Sequence, residues 1–374
     1  MRGGAVHPGA QRARGGRGRD RRSRPARRGA RRRGGLAVSG KVRIGCVGAG
    51  YWGKNLVRNF ASAEGAELAA VCDADEKVQA RVRREYPAAK VTGSYDELLA
   101  MPDVDAVVLA TPGSSHANLA RQALAAGKDV FVEKPLAQTV ADARAVTEEA
   151  ARLGRVLMCG HLMVFHPAFQ RVVELVRSGA LGDILYIYAQ RVNLGKIRTD
   201  ENALWSLGPH DFSMIFELIG EPMESVSARG HAYLRPGTED VVFVNVAFKS
   251  GVMANVQLSW LDPHKHRSLT VVGSKKMLVF DDTHPTEKIR IHDKGFDRPQ
   301  EYHTYDAFLT LRDGDILIPS VPMEEPLRLE VRHFIECVRD RKAPRTGGPE
   351  ACRVVEALAA AEASLRRGGA PIIL

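Results

Sequence analysis

Apolar residues fall in short runs over the first part of this chain and in alternating patterns over the second. Val42, Ile44, Cys46 and Val47 predict a strand buried on both faces, which breaks into Gly48-Ala49-Gly50-Tyr51-Trp52-Gly53. A helix is predicted over 54–60, and Leu68 to Cys72 is a second apolar run that ends at Asp73. Helices over 76–85 and 95–100 precede a strand over 106–110, which ends in Thr111-Pro112-Gly113. A helix over 116–126, closed by Gly127, leads to a strand over 129–132 that ends in Glu133-Lys134-Pro135. Helix 140–153 and strand 156–159 complete the series before Gly160-His161. Alternation at this spacing predicts a parallel sheet with helices on both faces, binding its ligand beyond the carboxyl ends of the strands.

The period changes after Pro167. One helix over 169–177 gives way to predicted strands at 184–192, 225–228, 240–248, 252–261, 268–272 and 276–280, joined by glycine-containing turns such as Lys249-Ser250-Gly251. A helix over 209–219 interrupts them, and two helices over 325–339 and 349–366 close the chain. The fold class is α/β. A Rossmann-type doubly wound parallel sheet over 41–160 precedes an α+β substrate and oligomerisation domain with an open, mostly antiparallel sheet over 161–374. An open sheet leaves alternating apolar residues on one face in need of cover, which predicts a homo-oligomer, dimer or tetramer.

The formal net charge of +10 over 374 residues invites a nucleic-acid reading, but its location argues against one. Residues 1–40 hold thirteen Arg and one Asp; the rest of the chain carries 41 basic and 43 acidic residues, net −2. The basic character belongs to a Gly- and Pro-rich tail that cannot build a core and is expected to be disordered. It is either a polyanion-binding arm or translated upstream sequence from a misplaced start, in which case a start at Val38 would put the first strand at the N-terminus. The tail lacks the apolar segment of a secretory signal, and no stretch approaches the roughly 20 apolar residues of a membrane span. Cys46, Cys72, Cys159, Cys337 and Cys352 are odd in number and widely spaced, as buried thiols of a cytoplasmic protein would be.

The glycine turn carries the first candidate chemistry. Gly48 permits a tight turn, Gly50 lets the backbone approach a pyrophosphate, and Gly53 allows the helix to pack close to the strand. Phosphates would sit on the free N–H groups of the helix that follows. Asp73, twenty residues beyond Gly53, accepts the ribose hydroxyls of an adenosine and repels a 2′-phosphate, which predicts NAD rather than NADP. Thr111, Pro112 and Glu133 lie at other strand ends of the same crevice, with His116 as a further contact by topology. A cation at Lys134 would stabilise the alkoxide that develops when an alcohol loses its hydride.

The ordered series GAGYWG, Asp73, Thr111-Pro112, Glu133-Lys134-Pro135 and His210-Asp211 resembles the glucose–fructose oxidoreductase/inositol dehydrogenase (Gfo/Idh/MocA) family over residues 41–374. The resemblance implies that Glu133 approaches the nicotinamide ribose and that Lys134 touches the reacting hydroxyl. The family's second catalytic segment reads Asp-x-x-x-His; here it is Ser206-Leu207-Gly208-Pro209-His210, so His210 remains as the base and Ser206 replaces the aspartate. GYWGKNLVRNF, QRVNLGKIRTDENALW and SWLDPHKHRSLTVVGSKKM look most like members acting on nucleotide-activated sugars, which implies oxidation at C3 of a UDP-amino sugar such as UDP-N-acetylglucosamine. Reduction of a keto-sugar and oxidation of a cyclitol remain alternatives, as does an NAD-sensing regulator with a nucleic-acid-binding arm.

Gln190, Arg191, Asn193, Arg198, Asn202 and Trp205 cluster before Ser206, as polar groups and an aromatic plane for a sugar and a diphosphate. Alternation places Arg191 and Asn193 on one face of their strand and Gln190 on the other. His264-Lys265-His266-Arg267 reads as a solvated basic turn or a diphosphate contact. No metal is expected, because no Cys, Glu or further His stands at ligand spacing from those histidines in the sequence. His161 and His166 flank the change of pattern, His161 as a residue facing the nicotinamide crevice or, like His166, as a packed or capping one, and Asp211 either orients His210 or occupies the first turn of a helix.

Overall fold

The fold is read from a computed structural model, which describes residues 40–195, 197–198, 201–297 and 310–374. The readings made for the arginine-rich tail lie outside them. Five short apolar runs become strands and the unexpected Lys90–Thr92 adds a sixth: β1 (Val42–Val47), β2 (Ala66–Cys72), β3 (Lys90–Thr92), β4 (Ala106–Leu109), β5 (Asp129–Glu133) and β6 (Leu157–Gly160). All pair in parallel, in the order β3-β2-β1-β4-β5-β6. The reversal of strand order between β1 and β4 places a crevice beyond their carboxyl ends.

Alternate residues of each strand feed two cores. Val107, Leu109, Val130 and Val132 join one; Ala106, Val108 and Phe131 join the other. Helices α1 (Gly53–Ser62), α2 (Glu76–Glu85), α3 (Tyr95–Ala100), α4 (Gly113–Ala125) and α5 (Val140–Leu153) connect the strands. A 3-10 turn (Leu162–Phe165) and α6 (Pro167–Arg177) lead out of the sheet.

The second sheet has nine strands. They are β7 (Ile184–Val192), β8 (Met223–His231), β9 (Val241–Phe248), β10 (Met253–Ser259), β11 (His266–Gly273), β12 (Met277–Asp281), β13 (Ile289–Asp297), β14 (Thr310–Leu317) and β15 (Ile372–Ile373). Their order is β14-β13-β12-β11-β7-β10-β9-β8-β15, antiparallel throughout except for β7 beside β10. One face, carrying Ile187, Ala189 and Arg191 of β7, lies buried beneath α7 (Ala203–Ile219). The other exposes Tyr186, Tyr188, Phe243 and Met253.

The last two helices, α8 (Pro326–Asp340) and α9 (Gly348–Arg366), return to the first sheet. Phe334 of α8 meets Phe60 of α1 and Phe131 of β5 edge-on, with ring centroids 5.6–6.1 Å apart. Such edge-to-face contacts add about 0.5–1.5 kcal/mol each beyond burial. The chain's end therefore holds the layer that supports the glycine turn.

The helix expected to begin at Pro209 begins six residues earlier. Asn202 caps α7 by accepting the Trp205 N–H at 3.2 Å, which leaves Pro209 in the helix interior. A proline inside a helix removes one hydrogen bond and splays the preceding carbonyls. Burial of Leu204, Trp205, Phe212 and Ile215 on that helix offsets the loss.

Candidate active site

The turn after β1 is built for close approach. Gly48 has φ +83°, and a Cβ there would stand 2.7 Å from the Ala110 carbonyl oxygen. A Cβ on Gly53 would stand 2.0 Å from the Gly48 carbonyl oxygen, whereas one on Gly50 would meet nothing within 4 Å. Gly50 is thus the open position and the other two are closed by backbone. The first turn of α1 holds no acidic residue and no side-chain cap; its Lys54 and Asn55 N–H groups donate to the Gly50 and Trp52 carbonyl oxygens at 3.2 and 2.9 Å, and the positive end of the helix still faces the turn.

Asp73 is aimed at the same turn. One of its oxygens accepts the Ala49 N–H at 2.7 Å, the other the Asp75 N–H at 2.9 Å. A carboxylate has lone pairs beyond these two bonds, enough for a pair of ribose hydroxyls. On this geometry the residues present fit NAD: the turn would hold the pyrophosphate, Asp73 the adenosine ribose and Glu133 the nicotinamide side. Trp52 reaches across the crevice, its indole N–H donating to Glu133 Oε1 at 2.5 Å. Tyr51 stands exposed with the Lys54 ammonium 5.8 Å above its ring. Thr111 bonds Ser115 through its hydroxyl, and Pro112 caps α4.

Lys134 crosses to the second sheet's helix. Its Nζ donates to the Ser206 carbonyl oxygen at 3.2 Å, one turn before His210 on the same face of α7. Burial pulls the lysine below its ordinary pKa, partly offset by the Glu201 and Glu133 carboxylates. His210 lies in the second turn and interior of α7, not at a helix start as expected. Burial pushes its pKa well down, with Arg191, Lys134, His161 and Arg267 adding to the effect. A neutral imidazole beside a lysine is an arrangement suited to proton transfer at one hydroxyl. Ser206 contributes its backbone rather than a carboxylate.

Several expected binding residues have other partners. Arg191 grips Asp211 bidentately at 2.7 and 3.1 Å, both side chains buried, so it is no free cation for substrate and Asp211 does not orient His210. Gln190 donates to Gln257 on the outer face of the sheet, away from the crevice. His116 is buried between the carbonyl oxygens of Pro135 and Thr111, at 2.7 and 2.8 Å, so both its ring nitrogens are engaged in tying the ends of β4 and β5 together. Trp205 is buried and donates to Glu362 at 3.3 Å; Asn202 donates to Glu239 at 2.9 Å. Both line a cavity of about 620 Å³ beside Pro112, Pro135 and Gln138. Arg198 pairs with Glu201 at 3.1 Å near Lys134, and Asn193 lies in the loop after β7. His264, Lys265 and His266 are exposed.

Among the described residues, two side chains near the site are buried whole without a hydrogen bond, and His210 Nδ1 is unbonded as well. His161, 1% exposed, lacks a partner on both ring nitrogens, and Glu330 of α8, fully buried, lacks one on both oxygens. Burial and the charge of Glu133 push the Glu330 carboxyl well above its ordinary pKa. Sequence reasoning passed over Glu330, although an acid within the apolar stripe Leu327, Val331 and Phe334 was a visible anomaly. Among the described residues no group of three His, Cys, Asp or Glu side chains is placed to hold a metal ion.

Comparison with known proteins agrees with this geometry. The oxidoreductase family with an NAD-binding Rossmann fold (Gfo/Idh/MocA) matches residues 42–161, and the Gfo/Idh/MocA C-terminal domain matches residues 169–279. Inositol 2-dehydrogenase of Acidothermus cellulolyticus is 32% identical over 232 residues, 60% of this chain and 68% of that protein. The Bacillus subtilis scyllo-inositol 2-dehydrogenase (NAD(+)) is 27% identical over 345 residues, 88% of this chain and 95% of that protein. The solved structure of UDP-N-acetylglucosamine 3-dehydrogenase GnnA from Acidithiobacillus ferrooxidans shares the fold, with TM-score 0.74 at 24% identity over 87% of this chain and 98% of that one. A glycine turn closed by backbone, a strand-end carboxylate aimed at it and matches across both sheets place this chain in the Gfo/Idh/MocA family of NAD-binding oxidoreductases.

Proposed function

We propose that the protein oxidises a secondary hydroxyl of a sugar or cyclitol, with Lys134 and His210 as the catalytic pair. The observation that carries this reading is the Lys134–Ser206 contact, which brings a strand-end lysine to the helix turn that presents His210. NAD, when bound, supplies the acceptor for the substrate's hydride. Lys134 holds the hydroxyl oxygen and stabilises the negative charge that develops there. His210, held neutral by burial, takes the hydroxyl proton. Glu133, fixed by Trp52, orients the nicotinamide side of the crevice. The reverse direction, reduction of a keto-sugar, uses the same groups.

Within that class we favour C3 of a UDP-amino sugar such as UDP-N-acetylglucosamine. Support comes from the named function of the GnnA structure and from cations around the buried base. Arg198 and Arg267 bear on Lys134 and His210, and both keep substantial exposure, as diphosphate ligands must. A free cyclitol is the second reading, favoured by the two inositol dehydrogenase relatives. The test is to incubate purified protein with NAD and, separately, UDP-sugars, dTDP-sugars and inositols, following the absorbance of reduced cofactor. Turnover with UDP-N-acetylglucosamine supports the favoured reading. Turnover with inositols alone moves the assignment to the second, and none with any hydroxyl compound rejects both.

A further inference from the structure

Trp52 belongs to the glycine turn after β1 and Glu133 ends β5, yet their side chains meet. The indole N–H donates to Glu133 Oε1 at 2.5 Å, and the Lys134 backbone N–H donates to Oε2 at 3.2 Å. Glu133 is 8% exposed. Gly160 of the paired strand β6 lies against its carboxyl, and a Cβ there would stand 3.2 Å from Oε2. The carboxyl is thus confined between one strand's backbone and the indole.

Burial works against a charge at this place. It pushes the Glu133 carboxyl above its ordinary pKa, while the Trp52 bond, the Lys134 ammonium and the Lys134 N–H act the other way. The titratable groups that act with it are Lys134 at the end of its own strand, Cys159 of β6 and Glu330 of α8. Of these only the Lys134 ammonium favours the carboxylate, and burial draws that ammonium toward neutrality. The indole bond matters more for that reason. A hydrogen bond to a carboxylate is roughly twice as strong as one between neutral groups, and a water-poor site strengthens it further. Glu133 in turn acts on Lys134. Its charge and that of Glu201 hold the lysine's pKa up against burial and the Arg198 and Arg191 guanidinium groups.

We propose that Trp52 is a positioning residue for the reaction: its indole N–H fixes a negative Glu133 beside Lys134, and that charge keeps Lys134 a cation at the substrate's hydroxyl. The inference rests on the oxidation proposed above. Negative charge develops on the hydroxyl oxygen as hydride leaves, and only the ammonium form of the lysine opposes it. A neutral Glu133 would leave Glu201 as the remaining carboxylate acting on Lys134, and Glu201 is already paired with Arg198 at 3.1 Å. The glycine turn therefore serves both ends of the crevice. Its backbone faces the pyrophosphate, and its tryptophan sets the charge where the hydroxyl reacts.

The test pairs a variant that keeps an aromatic ring with one that keeps an N–H. Full-chain wild type, Trp52→Phe and Trp52→Gln are assayed across a pH series with NAD and the alcohol found active in the panel above. In Trp52→Phe the acid limb of kcat/KM is expected to move up by about one pH unit or more, with most of the rate recovered at high pH. The direction follows from losing a bond to the charged form, which lets Glu133 keep its proton to higher pH. Trp52→Gln offers an N–H with no titration of its own, and its limb should lie near that of wild type. An acid limb that Trp52→Phe leaves unmoved overturns the proposal. So does an equal loss at every pH in both variants, the mark of a structural role. A cofactor-free arm reads the contact from the proton–nitrogen correlation signals of the indoles, Trp52 giving the one absent in Trp52→Phe. Its proton is expected to move upfield in Glu133→Gln, and a signal left in place contradicts the contact. If wild type reduces no NAD with any alcohol, the oxidation reading fails on its own, and the indole arm still judges the contact.

Discussion

The Nζ of Lys134 donates to the Ser206 carbonyl oxygen at 3.2 Å across 72 residues of sequence, joining the end of β5 to the first turns of α7. Pro209 lies in the turn that follows, where its missing N–H leaves the Trp205 carbonyl, next to Ser206, without its helical donor. Lys134 thus sits one helical turn from His210, with the glycine turn and Glu133 completing the crevice.

The Arg191–Asp211 pair is expected to stabilise this arrangement without joining the chemistry. Asp211→Asn leaves a buried guanidinium without its counter-charge and is predicted to cost about 3–5 kcal/mol. Arg191→Met with Asp211→Leu is expected to cost much less, because neither charge is then stranded. Denaturant midpoints of the three variants check this. An Asp211→Asn variant as stable as wild type would contradict it.

This pair also shows where sequence reading stops. The glycine turn, Asp73 and Glu133-Lys134-Pro135 were legible as a tight turn and strand ends because local backbone constraints and the end of each apolar run fix where they lie. Arg191 and Asp211 were visible only as polar residues on a strand and beside a histidine. Their pairing is a tertiary event between β7 and α7 that no local pattern encodes. The start of α7 was missed because Pro209 mimics a first-turn proline while Asn202, the true cap, sits in a polar run. Strands β13 and β14 escaped because Asp293, Lys294, Asp313 and Asp315 interrupt their alternation, as suits strands at a sheet edge.

Asp73 carries two duties, and its replacement should show both. Asp73→Ser is expected to narrow the preference for NAD over NADP, since the charge that repels a 2′-phosphate is gone. It should also raise KM for NAD, because the Ala49 N–H loses its 2.7 Å acceptor and the glycine turn its brace. Steady-state kinetics with both cofactors provide the check. A wild-type preference for NADP in kcat/KM would reverse the reading of Asp73.

Glu330 predicts a pH effect on stability. Its folded pKa is raised by burial and by Glu133, so the folded chain keeps a proton that the unfolded chain releases. Stability from this group is complete below the ordinary carboxylate range and falls as pH rises toward the folded value. Glu330→Gln mimics the protonated acid. Its melting temperature relative to wild type should therefore rise between about pH 5 and pH 8. A constant difference across that range would show that the carboxyl is already ionised when folded.

The outward face of the second sheet presents Tyr186, Tyr188, Phe243 and Met253 together. We propose that a second copy of the chain covers it. Tyr188→Glu with Phe243→Lys should lower the mass seen by light scattering, with each sheet still folded. A wild-type monomer at micromolar concentration would reject the proposal.

The most direct test of the account is the kcat of His210→Ala, with NAD affinity measured beside it. A general base contributes about 10²–10⁴-fold, so kcat should fall by that factor while NAD binding survives. Lys134→Ala should do similar damage, and the double variant should be little worse than either, because the two act as a unit. Near-normal turnover in His210→Ala with intact cofactor binding would contradict the account and remove His210 from the mechanism.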